Sequence, residues 1–118
     1  MWSHAPSAIA LGGMHFTARH QAAVSKYYRN EFDTGTCPPG LVHVAEGCMS
    51  PIRTRTWQIG KSLPRNLIAY ELPPELAAQL PSPRGGGRYV RVATDILLIA
   101  PDNAIIVDAV RASAIVGI

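Results

Sequence analysis

Several features are scarce or missing in this chain of 118 residues, and each absence narrows what the protein can be. No apolar run approaches the roughly 20 residues that a membrane-spanning helix requires, so no spanning helix is predicted. Charged residues make up 16% of the chain and apolar residues 47%, a balance that argues against disorder along most of its length. Two domains would each be too small to bury a self-sufficient core, so we expect a single domain.

The chain also has only a small excess of positive charge, with 11 Lys and Arg and 8 Asp and Glu. So small an excess makes nucleic acid an unlikely partner. The one local concentration, called the basic cluster below, has four bases with no acid between them: Arg53, Arg55, Lys61 and Arg65. It is interpreted either as a surface for phosphate or anionic lipid, or as an ordinary solvated face, which is the commoner case.

The sequence shows none of the usual arrangements of catalytic residues. It has no nucleophilic serine in a Gly-x-Ser-x-Gly turn and no clear pair of carboxylates. Asp95 and Asp108 lie at the edge of a predicted strand and within another, where each is expected to join a turn or an ion pair with Arg91 or Arg111. We therefore do not expect an enzyme.

The residues that are present predict an α+β fold with one N-terminal amphipathic helix. From Thr17, a residue type favoured at helix N-caps, apolar and aromatic residues recur at helical spacing through Val24, Tyr28 and Phe32. Gly35 is suited to end the helix because glycine readily adopts the left-handed conformation.

A small antiparallel β meander is predicted over about residues 88–110. Its middle strand, 96–100, is apolar on both sides and needs a cover, for which the helix is the obvious candidate. In the first strand, Tyr89 and Arg91 alternate with valines and are predicted to face solvent. Additional short elements are predicted before it: strands over 57–59 and 67–72, and one or two helical turns over 75–80.

The two ends of the chain carry no periodic pattern. Residues 1–14 mix Ser, Pro, Gly and small apolar residues and are predicted to form a flexible N-terminus. The single domain is predicted to span 15–112, and 113–118 to form a C-terminal tail.

Cys37 and Cys48, the two cysteines of the sequence, lie on either side of a loop rich in Gly and Pro. A disulfide between them would close a loop of about a dozen residues and stabilise the fold by about 3 kcal/mol in an oxidising compartment. The alternative is a site for a divalent transition metal that includes His43, although the close ligand pairs typical of structural zinc are missing. His15 and His20, at the start of the helix, are the other candidate ligands, and a packing role for His20 is the simpler interpretation.

A set of short segments follows the order found in one known family: Cys37-Pro-Pro-Gly-Leu, Gly47-Cys48-Met49, Trp57-Gln-Ile-Gly-Lys-Ser-Leu-Pro, Arg88-Tyr-Val-Arg-Val, and Asp95-Ile-Leu-Leu-Ile-Ala followed by Ile105-Ile-Val-Asp-Ala. Through them, over about residues 16–110, the chain resembles the RcnB family of small exported proteins of Gram-negative bacteria. The resemblance implies a periplasmic or secreted protein, whose signal sequence would have been removed or would lie upstream of Met1. Export would explain a disulfide between Cys37 and Cys48.

The founding members of that family are linked to nickel and cobalt homeostasis, so the resemblance implies a related role here. The loop between the cysteines departs from the family pattern, since it reads Leu41-Val-His-Val-Ala-Glu-Gly where relatives are rich in Lys and Asn. No metal ligands can be carried over residue by residue.

Three functional hypotheses follow. The first is an accessory protein of periplasmic nickel and cobalt homeostasis. The second is an envelope module, structural or protein-binding, that uses no metal and presents Tyr89, Arg91, Trp57, Arg53 and Arg55 to a protein partner. The third is a binder of anionic polymers through the basic cluster.

Overall fold

The computed structural model describes residues 8–11, 16–52 and 54–117, and it confirms a small α+β fold with antiparallel sheets. Among the described residues, no helix has the length and apolar character needed to cross a bilayer. The elements in chain order are β1 (Ala8–Leu11), α1 (Ala18–Asp33), β2 (Val42–Val44), β3 (Gly47–Met49), β4 (Tyr70–Glu71), α2 (Pro74–Ala77), β5 (Arg88–Val92), β6 (Asp95–Ile99), β7 (Ile106–Ala112) and β8 (Ile115–Val116).

The predicted meander is the centre of the larger sheet. Within the described residues, this sheet has the strand order β1-β7-β6-β5-β4, and the smaller sheet has the order β2-β3-β8. In β6 every residue from Asp95 to Ile99 is buried, as the doubly apolar pattern predicts for a strand covered on both faces.

Helix α1 covers one face of the larger sheet, called here the helix-side face. Val24 and Tyr28 are fully buried in the cluster that also contains Ile96, Leu98 and Val110. Thr17 is the N-cap of the helix and Gly35 follows its C-terminal end, as predicted. Gly35 has a φ of +80°, and its N–H donates to the carbonyl of the helical residue Phe32 at 2.9 Å.

The opposite face, called the loop-side face, is covered by the irregular chain between β3 and β4. Trp57 packs there against Val90, Leu97, Ile99 and Ile106. The predicted strand over 57–59 does not form, since this segment turns at Gly60. The N–H of Gly60, in this turn, donates to the carbonyl of Ile106 at the start of β7. The predicted strand over 67–72 is reduced to Tyr70–Glu71.

Both ends of the chain contribute strands where irregular termini were predicted. Ala8–Leu11 pairs with the outer edge of β7, and the rest of the predicted N-terminal segment lies outside the described residues. Ile115–Val116 pairs with β3, and Val116 is fully buried. Runs this short show no periodicity, so their pairing depends on strand edges that the rest of the fold provides.

Candidate functional site

A cavity of about 420 Å³ opens at one end of the larger sheet. Its walls are the turn between β5 and β6, the end of β7, the loop from Ser50 to Trp57 and the segment just before β4. Apolar side chains of this loop and segment, together with arginines from the loop and from β5 and β7, line the space.

Asp95 lies at one wall of the cavity and is 4% exposed. Its Oδ2 accepts a hydrogen bond from Nε of Arg55 at 2.8 Å and one from Nε1 of Trp57 at 2.7 Å. Its Oδ1 accepts from Nη2 of Arg55 at 3.0 Å and from the backbone N–H of Ala112 at 2.9 Å. One carboxylate therefore fastens the loop to β6 and β7.

Asp95 directly follows the turn at Ala93 and Thr94, in keeping with the turn that was one predicted role, but the partner in its ion pair is Arg55 and not Arg91 or Arg111. Side chains alternate along β5, so Arg91 shares the helix-side face with its pairing partner Ile96, whereas Asp95 lies on the loop-side face. Asp108 also makes a bond that was not predicted, since its Oδ2 accepts the backbone N–H of Phe16 at 3.1 Å.

Arg91 is 3% exposed, so the prediction that it faces solvent is wrong. Its Nη1 donates to the carbonyl of Ala93 at 2.6 Å, and its Nη2 donates to the carbonyl of Pro39. Its guanidinium lies 4.6 Å from the centre of the Tyr70 ring. The loop that follows Cys37 therefore folds over this side chain, yet Arg91 still contributes to the lining of the cavity.

Tyr89 and Trp57, the aromatic residues of the predicted interaction surface, do not stand free in solvent either. Tyr89 is half-buried, with its ring 5.7 Å from that of Phe16 and its hydroxyl donating to the carbonyl of Pro81. Burial, assisted by the negative charge of Asp108, raises the pKa of Tyr89 to about 12. Trp57 is 6% exposed.

The residues of the predicted interaction surface therefore do not lie together on one exposed face. Arg55, Trp57 and Arg91 meet at the cavity, Tyr89 lies elsewhere, and Arg53 is outside the described residues. Sequence reasoning missed Asp95 as the organising residue. A single acid beginning an otherwise apolar strand was the available signal.

The predicted basic cluster does not act as one surface among its described members. Arg55 turns inward to Asp95, whereas Lys61 and Arg65 are exposed and do not contribute to the cavity wall. A continuous cationic face, which a polymer binder would use, is not formed by these three side chains.

Cys37 and Cys48 form the predicted disulfide, with their Cα atoms 5.7 Å apart. The bond joins the loop that follows α1 to β3, and Cys48 is fully buried. Of the candidate metal ligands, His43 stacks on Phe32 with ring centres 4.7 Å apart, and His20 accepts the N–H of Thr17 at 3.0 Å.

The third candidate ligand, His15, lies outside the described residues. In the part of the chain that the structure describes, no three His, Cys, Asp or Glu side chains are grouped as a metal site would require. Comparison of the chain with family models, with curated proteins and with solved structures found no match.

Proposed function

We propose that the protein is an exported binding module of the cell envelope, which holds a ligand in the cavity by non-metal contacts. The observation that carries this proposal is the convergence of Arg55, Trp57 and Arg91 on one space of about 420 Å³. That volume falls within the roughly 300–1,000 Å³ typical of small-molecule sites. Of the functions that the sequence suggests, this is the non-metal envelope module, with a cavity in place of a flat surface.

The proposed location rests on two observations. The chain resembles a family of exported proteins, and its two cysteines are joined in a disulfide. Disulfides persist mainly in oxidising compartments such as the periplasm and the extracellular space.

The walls of the cavity are held in place by covalent and polar contacts. The disulfide anchors the loop that carries Pro39, and Asp95 anchors the loop that carries Arg55 and Trp57. Such bonds hold the loops in place before a ligand binds. Less conformational entropy is then lost on binding, which favours a preformed site.

Trp57 provides a direct test, since it lines the cavity and the other tryptophan can be removed as Trp2→Phe. In that background, decanol serves as a neutral apolar probe, and we expect it to change the Trp57 emission in a saturable way. Ile68→Ser should weaken decanol binding about threefold or more, because Ile68 is 63% exposed in the cavity lining.

Ile59→Ser is the matched control, because Ile59 is also a partly exposed isoleucine but does not line the cavity. It should leave decanol binding unchanged. Equal losses in the two variants, or no saturable response in the parent, would contradict the proposed site.

A role in nickel and cobalt homeostasis remains a separate proposal that rests on the family resemblance alone. Calorimetry of the oxidised protein with nickel, cobalt and zinc tests it. Saturable heat at micromolar metal would favour that role over the non-metal module, and its absence would leave the cavity as the candidate site.

A further inference from the structure

The charges around the cavity point to the chemical class of its ligand, an inference that rests on the proposed function. We propose that the cavity takes an amphiphilic carboxylate, a molecule with one carboxylate head and an apolar chain. The head would bind the guanidinium of Arg91, and the chain would lie against Ile52 and Ile68.

The charge of Arg55 is already matched within the protein. Its Nε and Nη2 donate to different oxygens of Asp95, which makes the contact a two-pronged ion pair. Nη2 also donates to the carbonyl of Ala112 at 3.1 Å. A ligand therefore gains little by competing for this guanidinium.

The charge of Arg91 is not matched in this way. Its hydrogen bonds go to two uncharged carbonyls and its third contact is the Tyr70 ring, and no carboxylate of the described residues lies within ion-pairing distance. The two bonds use two of the five N–H groups of a guanidinium. A cation with 3% exposure and no anionic partner is costly to bury, so an anion in the cavity would relieve that cost.

The remaining charges of the lining act in the same direction. Arg111 is exposed at the end of β7 and adds a second cation to the wall. Among the described lining residues Asp95 is the one acid, and Arg55 neutralises it. The cavity is therefore positive towards an incoming ligand.

The apolar part of the lining separates this site from one for a simple inorganic anion. Ile52 is 53% exposed and Ile68 is 63% exposed, and both border the cavity. Burying such side chains against an alkyl chain adds favourable free energy in proportion to the area covered. A carboxylate is favoured over a phosphate because Arg91 is the single buried cation among the described residues of the lining, and a phosphate monoester carries more than one negative charge at neutral pH.

The first experiment compares three ligands with the same chain on the unmodified protein: decanoate, decanol and decylamine. Binding is followed by tryptophan emission and calorimetry. We expect decanoate to bind about tenfold more tightly than decanol, because it adds a hydrogen-bonded charge on Arg91, and decylamine to bind most weakly. The advantage of decanoate should shrink as sodium chloride is raised.

The second experiment changes the cations. Arg91→Lys retains the charge but loses the planar fork, and it should lower the affinity for decanoate more than the affinity for decanol, so that the advantage of decanoate shrinks. Arg111→Gln should give a smaller loss. Arg88→Gln is the control, because Arg88 lies in β5 like Arg91 but is exposed and does not line the cavity.

Each outcome separates this inference from the function on which it rests. If decanol binds as tightly as decanoate, the carboxylate inference fails and the cavity survives as a neutral apolar site. If acetate or inorganic phosphate displaces decanoate at equal concentration, the site binds simple anions and the proposed amphiphilic ligand is wrong. If neither decanol nor decanoate binds, both proposals fail, and this result does not depend on whether the Arg91 variant folds.

Discussion

At the scale of single residues, Asp95 joins separate parts of the chain through its two carboxylate oxygens. Arg55 and Trp57 reach it from the loop, and the backbone of Ala112 reaches it from β7. Because Asp95 is 4% exposed, each of these bonds forms in a region with little competition from water. The geometry of the cavity wall therefore depends strongly on one side chain.

Replacing Asp95 by Asn should lower the free energy of unfolding by about 2–3 kcal/mol, because Arg55 loses its anionic partner and one buried acceptor becomes a donor. Urea denaturation followed by Trp57 emission measures the loss. Asp102→Asn is the control, since Asp102 is exposed in the turn after β6, and its cost should stay below about 0.5 kcal/mol. Equal effects would show that the Asp95 bonds contribute little.

Tyr89 predicts a dependence of stability on alkaline pH. Its pKa is raised from 10.0 to about 12, first by burial and then by Asp108, so the fold favours the neutral phenol. The stabilisation is fully present below pH 10 and is lost as the pH rises through about 12. The slope of unfolding free energy against pH in this range should be smaller in Tyr89→Phe than in the parent, and identical slopes would contradict the assignment.

At the scale of elements, residues 115–117 connect the smaller sheet to helix α1. β8 pairs with β3 in the smaller sheet, and Gly117 then lies against α1. Gly117 has a φ of +104°, and a Cβ placed there would lie 2.9 Å from Cβ of Phe32 and 3.1 Å from the carbonyl oxygen of Tyr28. This close approach requires glycine for both its conformation and its size.

The variant Gly117→Ala should therefore cost more than Gly35→Ala. Gly35 also has a positive φ, but a Cβ at that position meets nothing within 4 Å. We expect about 1 kcal/mol for Gly35→Ala, from backbone conformation alone, and about 2–3 kcal/mol for Gly117→Ala. Thermal unfolding of both proteins checks the difference, and equal shifts would mean that the helix moves away without cost.

At the scale of the whole molecule, the disulfide connects the layer of α1 to the smaller sheet and also supports the cavity. It closes a loop between residues separated by 11 positions, and this loop carries the Pro39 carbonyl that accepts from Arg91. Stability and binding are therefore expected to respond together to reduction.

Reduction should lower the free energy of unfolding by about 3 kcal/mol through the entropy of the opened loop, and decanoate should bind more weakly. Urea unfolding and decanoate titration, each with and without dithiothreitol, measure the two effects. The double variant Cys37→Ser with Cys48→Ser is the control and should be insensitive to the reductant. Unchanged stability of the parent after complete reduction would contradict the predicted role.

Prediction from the sequence succeeded for elements with a regular hydrophobic period and for two cysteines that are close in sequence. The helix through Val24 and Tyr28, the meander and the disulfide all belong to this class. It failed for Trp57, which sits in a loop without regular pairing, and for Val116, which lies in a strand of two residues. Neither has a periodic neighbourhood that could reveal its burial.

The sequence by itself therefore determined the main helix and the meander, since their hydrophobic periods and capping residues act within a few positions. Only the tertiary structure decided the site. Arg55 reaches Asp95 across 40 positions, and the carbonyl of Pro39 reaches Arg91 across 52. The alternation of Arg91 with valines along β5 is typical of a strand that has one face in solvent. Arg91 is nevertheless buried, because the loop that follows Cys37 crosses over it. Alternation shows which face of a strand a side chain occupies, but whether that face meets water depends on where the remaining chain is packed.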